Sequence, residues 1–336
     1  MKITYLGTGS CFPTPTRNVS SIALEVSPEE IWIFDCGEGT QVQFQKTNLQ
    51  FAKITKIWIT HLHGDHLFGL PGFLCTLGAC LPSNHENVIH IYGPLGIKKF
   101  LITTLEISRS APKNCLLYIH ELVPDQDQFP EDWNSWKVDH DYNEETNLKI
   151  ASEKICSSRN LEDHRCWNLI SEDAKCSMKA VAIKHRVPSF AYVLNIKVPL
   201  DITKKPIRDS LKILVLGDTS HSEELIPFGM NADYVIHEAT LEDSLKTRAI
   251  ERGHSTPSMA VEFAIKINAK KLCLTHFNAR YKPINIAEER SNLNCKTEND
   301  LSVEKLLEEA QNYLKNFDSS QLKICLAYDL FEDSIN

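Results

Sequence analysis

The sequence predicts an α/β chain. Short apolar runs bounded by Gly and Pro recur from the first residue. Amphipathic helical stripes lie among them, and polar residues with metal-ligand chemistry stand at the carboxyl ends of several runs. Lys2–Leu6, Ser21–Val26, Ile31–Phe34 and Ile54–Thr60 read as strands. Leu67–Leu81 reads as a helix despite its internal Gly-Leu-Pro-Gly, in which Gly69, Pro71 and Gly72 are taken as turn and close-packing residues. Ile89–Tyr92 is a strand stopped by Gly93-Pro94, and Leu95–Leu105 is a helix. From Glu121 to Ser177 acidic residues outnumber basic ones and periodicity is poor. That span is expected to be a surface insert, partly disordered, with one short strand pair.

Alternation returns at Met178–Lys184, with Phe190–Val198 as its hairpin partner. Ile213–Leu216, Tyr234–Ile236 and Lys271–Leu274 read as interior strands. Between the last two, Pro257–Asn268 places Ala260, Phe263, Ala264 and Ile267 on one helical stripe. Ser255 or Thr256 is positioned to cap it, with Pro257 as its first residue. Leu301–Phe317 presents Leu306, Leu307, Ala310, Tyr313 and Leu314 on one face, and Leu322–Ala327 closes as a strand. Residues 1–336 are read as a single domain carrying the insert at 121–177.

Hydrophobic content of 42% and charged content of 24% are those of a globular chain. No apolar run approaches the ~18 residues of a membrane span, and Met1–Leu6 reads as a strand rather than as a signal or transit peptide. The eleven cysteines are odd in number, irregularly spaced and without a Cys-x-x-Cys pair, so reduced thiols in the cytoplasm or nucleus are expected. A structural metal site from Cys156, His164, Cys166 and Cys176 is the weaker alternative, because the spacing fits no zinc module. A net charge of −8 excludes attraction to nucleic acid by the overall field. A nucleic-acid enzyme of this balance must concentrate its cations locally or offset its carboxylates with bound metal.

The run His61-Leu62-His63-Gly64-Asp65-His66 concentrates three imidazoles and a carboxylate just after a buried-looking strand. These are the ligand types that hold zinc-like ions, and they cannot all be satisfied cheaply in an apolar core. Five later residues share one placement. His185 ends Met178–Lys184, Asp218 follows Ile213–Leu216, His237 and Glu238 end Tyr234–Ile236, and His276 follows Lys271–Leu274. His61, His63 and His185 would fill one metal site, Asp65, His66 and His276 a second, with Asp218 bridging. Two ions roughly 4 Å apart clamp an in-line attack on a phosphodiester. His90, His120, His140, His164 and His221 are left as background.

The motif His61-x-His63-x-Asp65-His66 resembles the metallo-β-lactamase superfamily. Phe34–Gln41, Thr60–Gly72, His185–Phe190, Gly217–Thr219, His237-Glu238-Ala239-Thr240, His254-Ser255-Thr256 and Leu274–Pro283 are similar to tRNase Z, the short form in particular. The resemblance implies a four-layer αβ/βα sandwich and a zinc-dependent endoribonuclease that removes the 3′ trailer from precursor tRNA, leaving a tRNA 3′-hydroxyl. It further implies two Zn²⁺ per subunit (or Mn²⁺) and a homodimer, with no membrane or DNA partner. Asp65 matches the family's general base, His254 the acid that protonates the leaving 3′-oxygen, and Glu238 its orienting carboxylate. Asp35 would hold a ligand histidine from behind, and Arg280 and Lys282 would contact tRNA phosphate. One departure stands out: the family's long tRNA-binding arm is reduced here to residues 195–211, with Lys197, Lys204, Lys205 and Arg208 as its remaining cations. Two other readings remain open, another phosphodiesterase or ester hydrolase of the superfamily, and a non-catalytic arm-less isoform that modulates a full-length partner.

Overall fold

The computed structural model describes residues 1–83, 87–129, 148–160, 162–171, 175–197, 210–283, 301–317 and 321–335. They divide into two compact units, Met1–Cys156 with Tyr328–Asn336, and Ser157–Ala327.

The first unit is built on β1 (Lys2–Gly7), β2 (Ser21–Ser27), β3 (Glu30–Phe34), β4 (Ile54–Trp58), β5 (Asn87–Pro94), β6 (Cys115–Leu122) and β7 (Ile150–Ile155), side by side in that order. A C-terminal strand, Glu332–Ser334, flanks β1. The pairs from β3 to β7 are parallel, and parallel neighbours need crossovers. Helices supply them: α1 (Thr40–Gln45) between β3 and β4, α2 (Gly64–Leu67) and α3 (Leu70–Cys80) between β4 and β5, and α4 (Ile97–Ile107) between β5 and β6. One sheet face, with Ile57, Ile59, Ile91 and Ile119, packs on Phe73, Leu74, Leu77, Leu101 and Leu105 of the helices. Each such side chain contributes about 1.5–3 kcal/mol by leaving water. Trp58, Tyr92 and His120 stack in a row along β4–β6, with ring centroids 4.1 and 4.0 Å apart.

The helix expected over Leu67–Leu81 is broken in two. Gly69 turns its N–H away to Cys36 O at 2.9 Å. A Cβ there would lie 2.0 Å from Gly37 O, so this backbone contact requires glycine. Pro71 follows inside the first turn of α3, where its missing N–H is harmless.

The second unit is a mixed sheet of β8 (Ser158–Arg159), β9 (Arg165–Ile170), β10 (Cys176–Ile183), β11 (Ser189–Lys197), β12 (Ser210–Leu216), β13 (Tyr234–Glu238), β14 (Lys271–Thr275) and β15 (Lys323–Leu326), again in sequence order. The pairs from β12 to β15 are parallel. α5 (Ile226–Gly229) joins β12 to β13, and α6 (Lys246–Glu251) and α7 (Pro257–Lys266) join β13 to β14. α8 (Val303–Leu314) precedes β15, and its N-cap Ser302 accepts from Glu304 N at 3.2 Å. Val181, Val193, Leu214, Val235 and Leu272 of the sheet meet Ala260, Phe263, Ala264, Leu306 and Ala310 of α7 and α8.

Several sequence expectations are corrected. The span 121–177 holds more than one strand pair: β7 extends the first sheet, and β8 and β9 the second. Residues 130–147, 161 and 172–174 of that span, His140 among them, lie outside the described residues, as does any expected disorder there. Thr256 is the N-cap of α7 but makes no side-chain capping bond; Ser255 Oγ instead donates to Thr219 O at 2.6 Å. The hairpin of β11 and β12 pairs as far as Lys197 with Ser210, and Lys204, Lys205 and Arg208 fall outside the described residues. His164, Cys166 and Cys176 form no donor cluster among the described residues, and no disulfide joins the described cysteines. No described helix is long and apolar enough to cross a membrane.

Candidate functional site

In the first unit, the donor set grows from the carboxyl end of β4. Thr60 and His61 leave the strand, His63 serves as N-cap of α2, and Asp65 and His66 lie on α2. The helix is tied back to the segment after β3 by Cys36 N donating to His66 O at 2.8 Å. Asp35 organises the set from behind. Its Oδ1 accepts from Thr60 N at 2.7 Å, and its Oδ2 from Thr60 Oγ1 at 2.9 Å and from His66 Nδ1 at 2.7 Å. His66 and Asp35 are 2% and 6% exposed, so these bonds are made in a dry environment.

The tautomers follow. His66 Nδ1 carries the proton given to Asp35, which places the lone pair on Nε2, 3.8 Å from Asp65 Oδ2. Thr60 spends its hydroxyl proton on Asp35, so its oxygen accepts from His61 Nδ1 at 3.1 Å and His61 too carries its lone pair on Nε2. That nitrogen faces His63 Nδ1 at 3.1 Å. The Asp65 carboxylate is steered by Cys11 N, which donates to Oδ2 at 2.6 Å.

In the second unit, His185 follows β10, Asp218 follows β12, Glu238 ends β13 and His276 follows β14. The expected placement at strand ends is thus observed. Ligand-capable atoms of Asp218, Glu238, His254 and His276 lie within 4.8 Å of one another. Asp218 Oδ1 is 3.3 Å from His276 Nε2 and Oδ2 is 3.6 Å from His254 Nδ1. His276 adopts φ 61, in the left-handed region that a residue with a Cβ seldom occupies. Thr240 Oγ1 donates to Glu238 Oε2 and accepts from His276 Nδ1 at 2.9 Å, again leaving the lone pair on Nε2. His185 donates from Nδ1 to Gly253 O at 2.7 Å, with the same result. Gly253 sits at φ +78, and a Cβ there would meet His185 Nδ1 at 2.6 Å.

His254 differs from these four. Its Nδ1 donates to Glu238 Oε1 at 3.1 Å. Burial disfavours its charge, but the field and hydrogen bond of Glu238, with Asp218 beside it, push its pKa up to about 9. Burial likewise opposes ionisation of Glu238, yet the attraction and hydrogen bond of His254 hold its pKa below the ordinary value. Backbone N–H groups of Thr219 and Ser255 donate to the two Glu238 oxygens at 2.7 and 3.0 Å, which fixes the carboxylate. Burial depresses the pKa of His185 and keeps that imidazole neutral, as a ligand must be. Arg280 is exposed and Lys282 half-buried on the segment after His276. Gly253 was not named from the sequence, and Thr60 and Thr240 stood there only within matched stretches, without a role.

The donor chemistry of these residues fits zinc-like cations. Neutral imidazoles whose second nitrogen bonds an oxygen, next to carboxylates, are the common surroundings of zinc. His276 Nε2 and Asp218 Oδ1 lie 3.3 Å apart, close enough to share one cation.

Comparison with known proteins accords with this geometry. Zinc phosphodiesterase ELAC protein 1 of Bos taurus is 38% identical over 86% of this chain and 89% of its own. Ribonuclease Z of Prochlorococcus marinus is 32% identical over 94% and 96%. The crystal structure of human tRNase Z, short form, superposes with a TM-score of 0.72 at 34% identity and full coverage of both chains. The metallo-β-lactamase fold protein YhfI of Bacillus subtilis, 15% identical, superposes with a TM-score of 0.54 over 98% of each chain and shares the fold. Residues 1–90 also match the family of the anti-Pycsar protein Apyc1, a stretch that contains His61–His66.

Proposed function

Belonging to the ribonuclease Z family, with its metallo-β-lactamase fold, this chain is, we propose, a zinc-dependent endoribonuclease that removes the 3′ trailer from precursor tRNA. Water attacks the phosphorus, the bond to the 3′-oxygen of the tRNA breaks, and the phosphate leaves with the trailer. His61, His63, Asp65 and His66 of the first unit and His185, Asp218 and His276 of the second are the ligands in this reading, which takes two Zn²⁺ per subunit. Zinc, when bound, polarises the attacking water and offsets charge on the phosphate.

The remaining chemistry belongs to side chains. Asp65, oriented by Cys11 N, accepts the proton of the attacking water. His254 delivers a proton to the departing 3′-oxygen, a poor leaving group as an alkoxide. Glu238 keeps His254 protonated and aimed by holding Nδ1, so that Nε2–H is the proton delivered. Arg280 and Lys282 are placed on tRNA phosphates, where they would set register rather than chemistry. A homodimer, and residence in cytoplasm or nucleus, complete the reading.

The observation that carries it is the shared tautomer pattern: His61, His66, His185 and His276 each commit Nδ1 to an oxygen acceptor. The test is metal analysis of the purified chain together with a precursor tRNA cleavage assay. Bound zinc and a cut on the 3′ side of the discriminator nucleotide are expected. Hydrolysis of a small phosphodiester without cleavage of precursor tRNA would overturn the substrate. Bound zinc with no turnover of either would favour the modulatory isoform.

A further inference from the structure

Behind Glu238, on the α7 side of the second sheet, lies a cavity of about 210 Å³ that the reaction above does not use. Its floor is formed by the buried side chains of His237, Phe263, Ser222 and Ser255. Ile226 and Met259, both half-buried, line its walls, and exposed Lys246 and Ile250 stand at its mouth. For scale, an apolar cavity of roughly 150 Å³ holds a benzene ring, so one planar heterocycle fits.

His237 makes this more than a surface dent. The side chain is 1% exposed, and its Nδ1 donates to Glu238 O at 2.7 Å. Its Nε2, a lone pair on the cavity wall, has no protein partner among the described residues. Burial holds the pKa of His237 below the ordinary histidine value, so the ring is neutral and Nε2 accepts. Ser222 Oγ, also facing the cavity, likewise has no protein partner among the described residues. A buried acceptor of this kind asks for a donor from whatever enters. Charge narrows the class. Lys246 and Lys266 are matched by Glu223 and Glu262, the last paired with Lys266 at 2.8 Å, so nothing favours a phosphate or a free cation. A flat apolar floor at Phe263, an acceptor beside it and a neutral rim suit an uncharged ring with an N–H group.

We propose that this cavity binds a neutral nucleobase, donating an N–H to His237 Nε2, and that its occupancy adjusts the Glu238–His254 pair. The coupling is short. His237 holds the backbone carbonyl of Glu238, and Ser255, on the cavity floor, holds a Glu238 carboxylate oxygen through its N–H. The second half of the proposal rests on the roles given above to Glu238 and His254; the first half does not.

Two sources offer the same chemistry, a free nucleoside and a base of the RNA substrate. The experiment titrates adenosine, guanosine, cytidine and uridine into the full zinc-loaded chain by calorimetry. The same titrations use His237→Phe, which keeps the ring and removes the acceptor, and Ile250→Trp, which fills the mouth from an exposed position. At least one nucleoside should bind, about tenfold more weakly in His237→Phe and not at all in Ile250→Trp. With precursor tRNA, a free modulator changes kcat at saturating RNA, whereas a site for an RNA base shows the nucleoside as a competitor and a raised KM in Ile250→Trp. Absence of binding by all four at about 10 mM, corresponding to a free energy too weak to matter, would overturn the proposal. So would undiminished binding to Ile250→Trp, a change at an exposed position that leaves His237 in place. Because binding is read by heat, failure of the tRNA assay leaves this result separate.

Discussion

Asp35→Asn isolates the part of the site that sets metal affinity without touching a ligand. The substitution preserves shape, and the Asn carbonyl can still accept from Thr60 N, now at 2.7 Å from Asp35 Oδ1. The amide NH₂ then occupies the place of Oδ2, which accepts from both Thr60 Oγ1 and His66 Nδ1. Two donors would face each other, so His66 must move its proton to Nε2, the nitrogen meant for metal. Thr60 Oγ1 would take a proton from the amide and turn its own toward His61 Nδ1, 3.1 Å away, pushing His61 to the wrong tautomer as well. Losing one hydrogen bond to a charged acceptor costs about 1.5–3 kcal/mol, and each ~1.4 kcal/mol is tenfold in binding. Zinc affinity should therefore fall about 10- to 100-fold or slightly more, the range seen when partners of ligand histidines are removed. The assay is competition for zinc with a chromophoric chelator, beside thermal unfolding of the zinc-free proteins. The zinc-free midpoint should move little. A folded variant whose zinc affinity stays within about threefold of the parent would refute the tautomer argument.

Further outcomes can be checked alongside. His254→Ala should slow single-turnover cleavage of precursor tRNA by about 10²–10⁴ with zinc content unchanged; lost zinc would make His254 a ligand instead. Gly253→Ala forces φ +78 on a residue with a Cβ and crowds His185 Nδ1, so denaturation should show a loss of about 1–2 kcal/mol and metal analysis a lower zinc content. If both are unaltered, the Gly253 contact does not position His185. Asp329 accepts from Thr8 N, Thr8 Oγ1, Asn18 N and Gln43 Nε2, and Asp329→Ala strands buried donors; chemical denaturation should report about 2–4 kcal/mol lost, and a shift below about 0.5 kcal/mol would show that water replaces it. Grafting a family arm between Lys197 and Ser210 should tighten tRNA binding without changing the single-turnover rate at saturation, since arm contacts are mostly phosphate contacts.

Most strands that could be read from sequence have both faces filled, although β6, equally buried, was not read. β3, β12 and β13 are largely apolar and buried because parallel or central strands are covered on both sides. β7, Ile-Ala-Ser-Glu-Lys-Ile, is an edge strand whose side chains are half or fully exposed, so its composition is that of a loop. It is a strand because β6 offers it a ladder, Leu117 opposite Ile150 through Leu122 opposite Ile155. The C-terminal strand Glu332–Ser334 is the same case, set by pairing with β1 rather than by its own residues. Secondary structure imposed by a partner leaves no periodicity to find.

The site divides along a similar line. The first donor set is contiguous, so four candidate ligands in six positions announce themselves. The second set is scattered, but His185, Asp218, Glu238 and His276 each stand at a strand end, and that placement is a pattern even when the residues are far apart; His254, between two helices, does not share it. What could not be read is the layer that decides which nitrogen of each imidazole carries a proton. Thr240 reaches His276 across 36 positions and the Gly253 carbonyl reaches His185 across 68; a hydroxyl and a carbonyl carry no signature of their own. Yet Thr240 Oγ1, by donating to Glu238 and accepting from His276, joins the carboxylate that holds the acid to the histidine assigned to metal. A single hydroxyl therefore ties the two together, so that a change at Thr240 reaches the acid's carboxylate and the histidine assigned to metal at once.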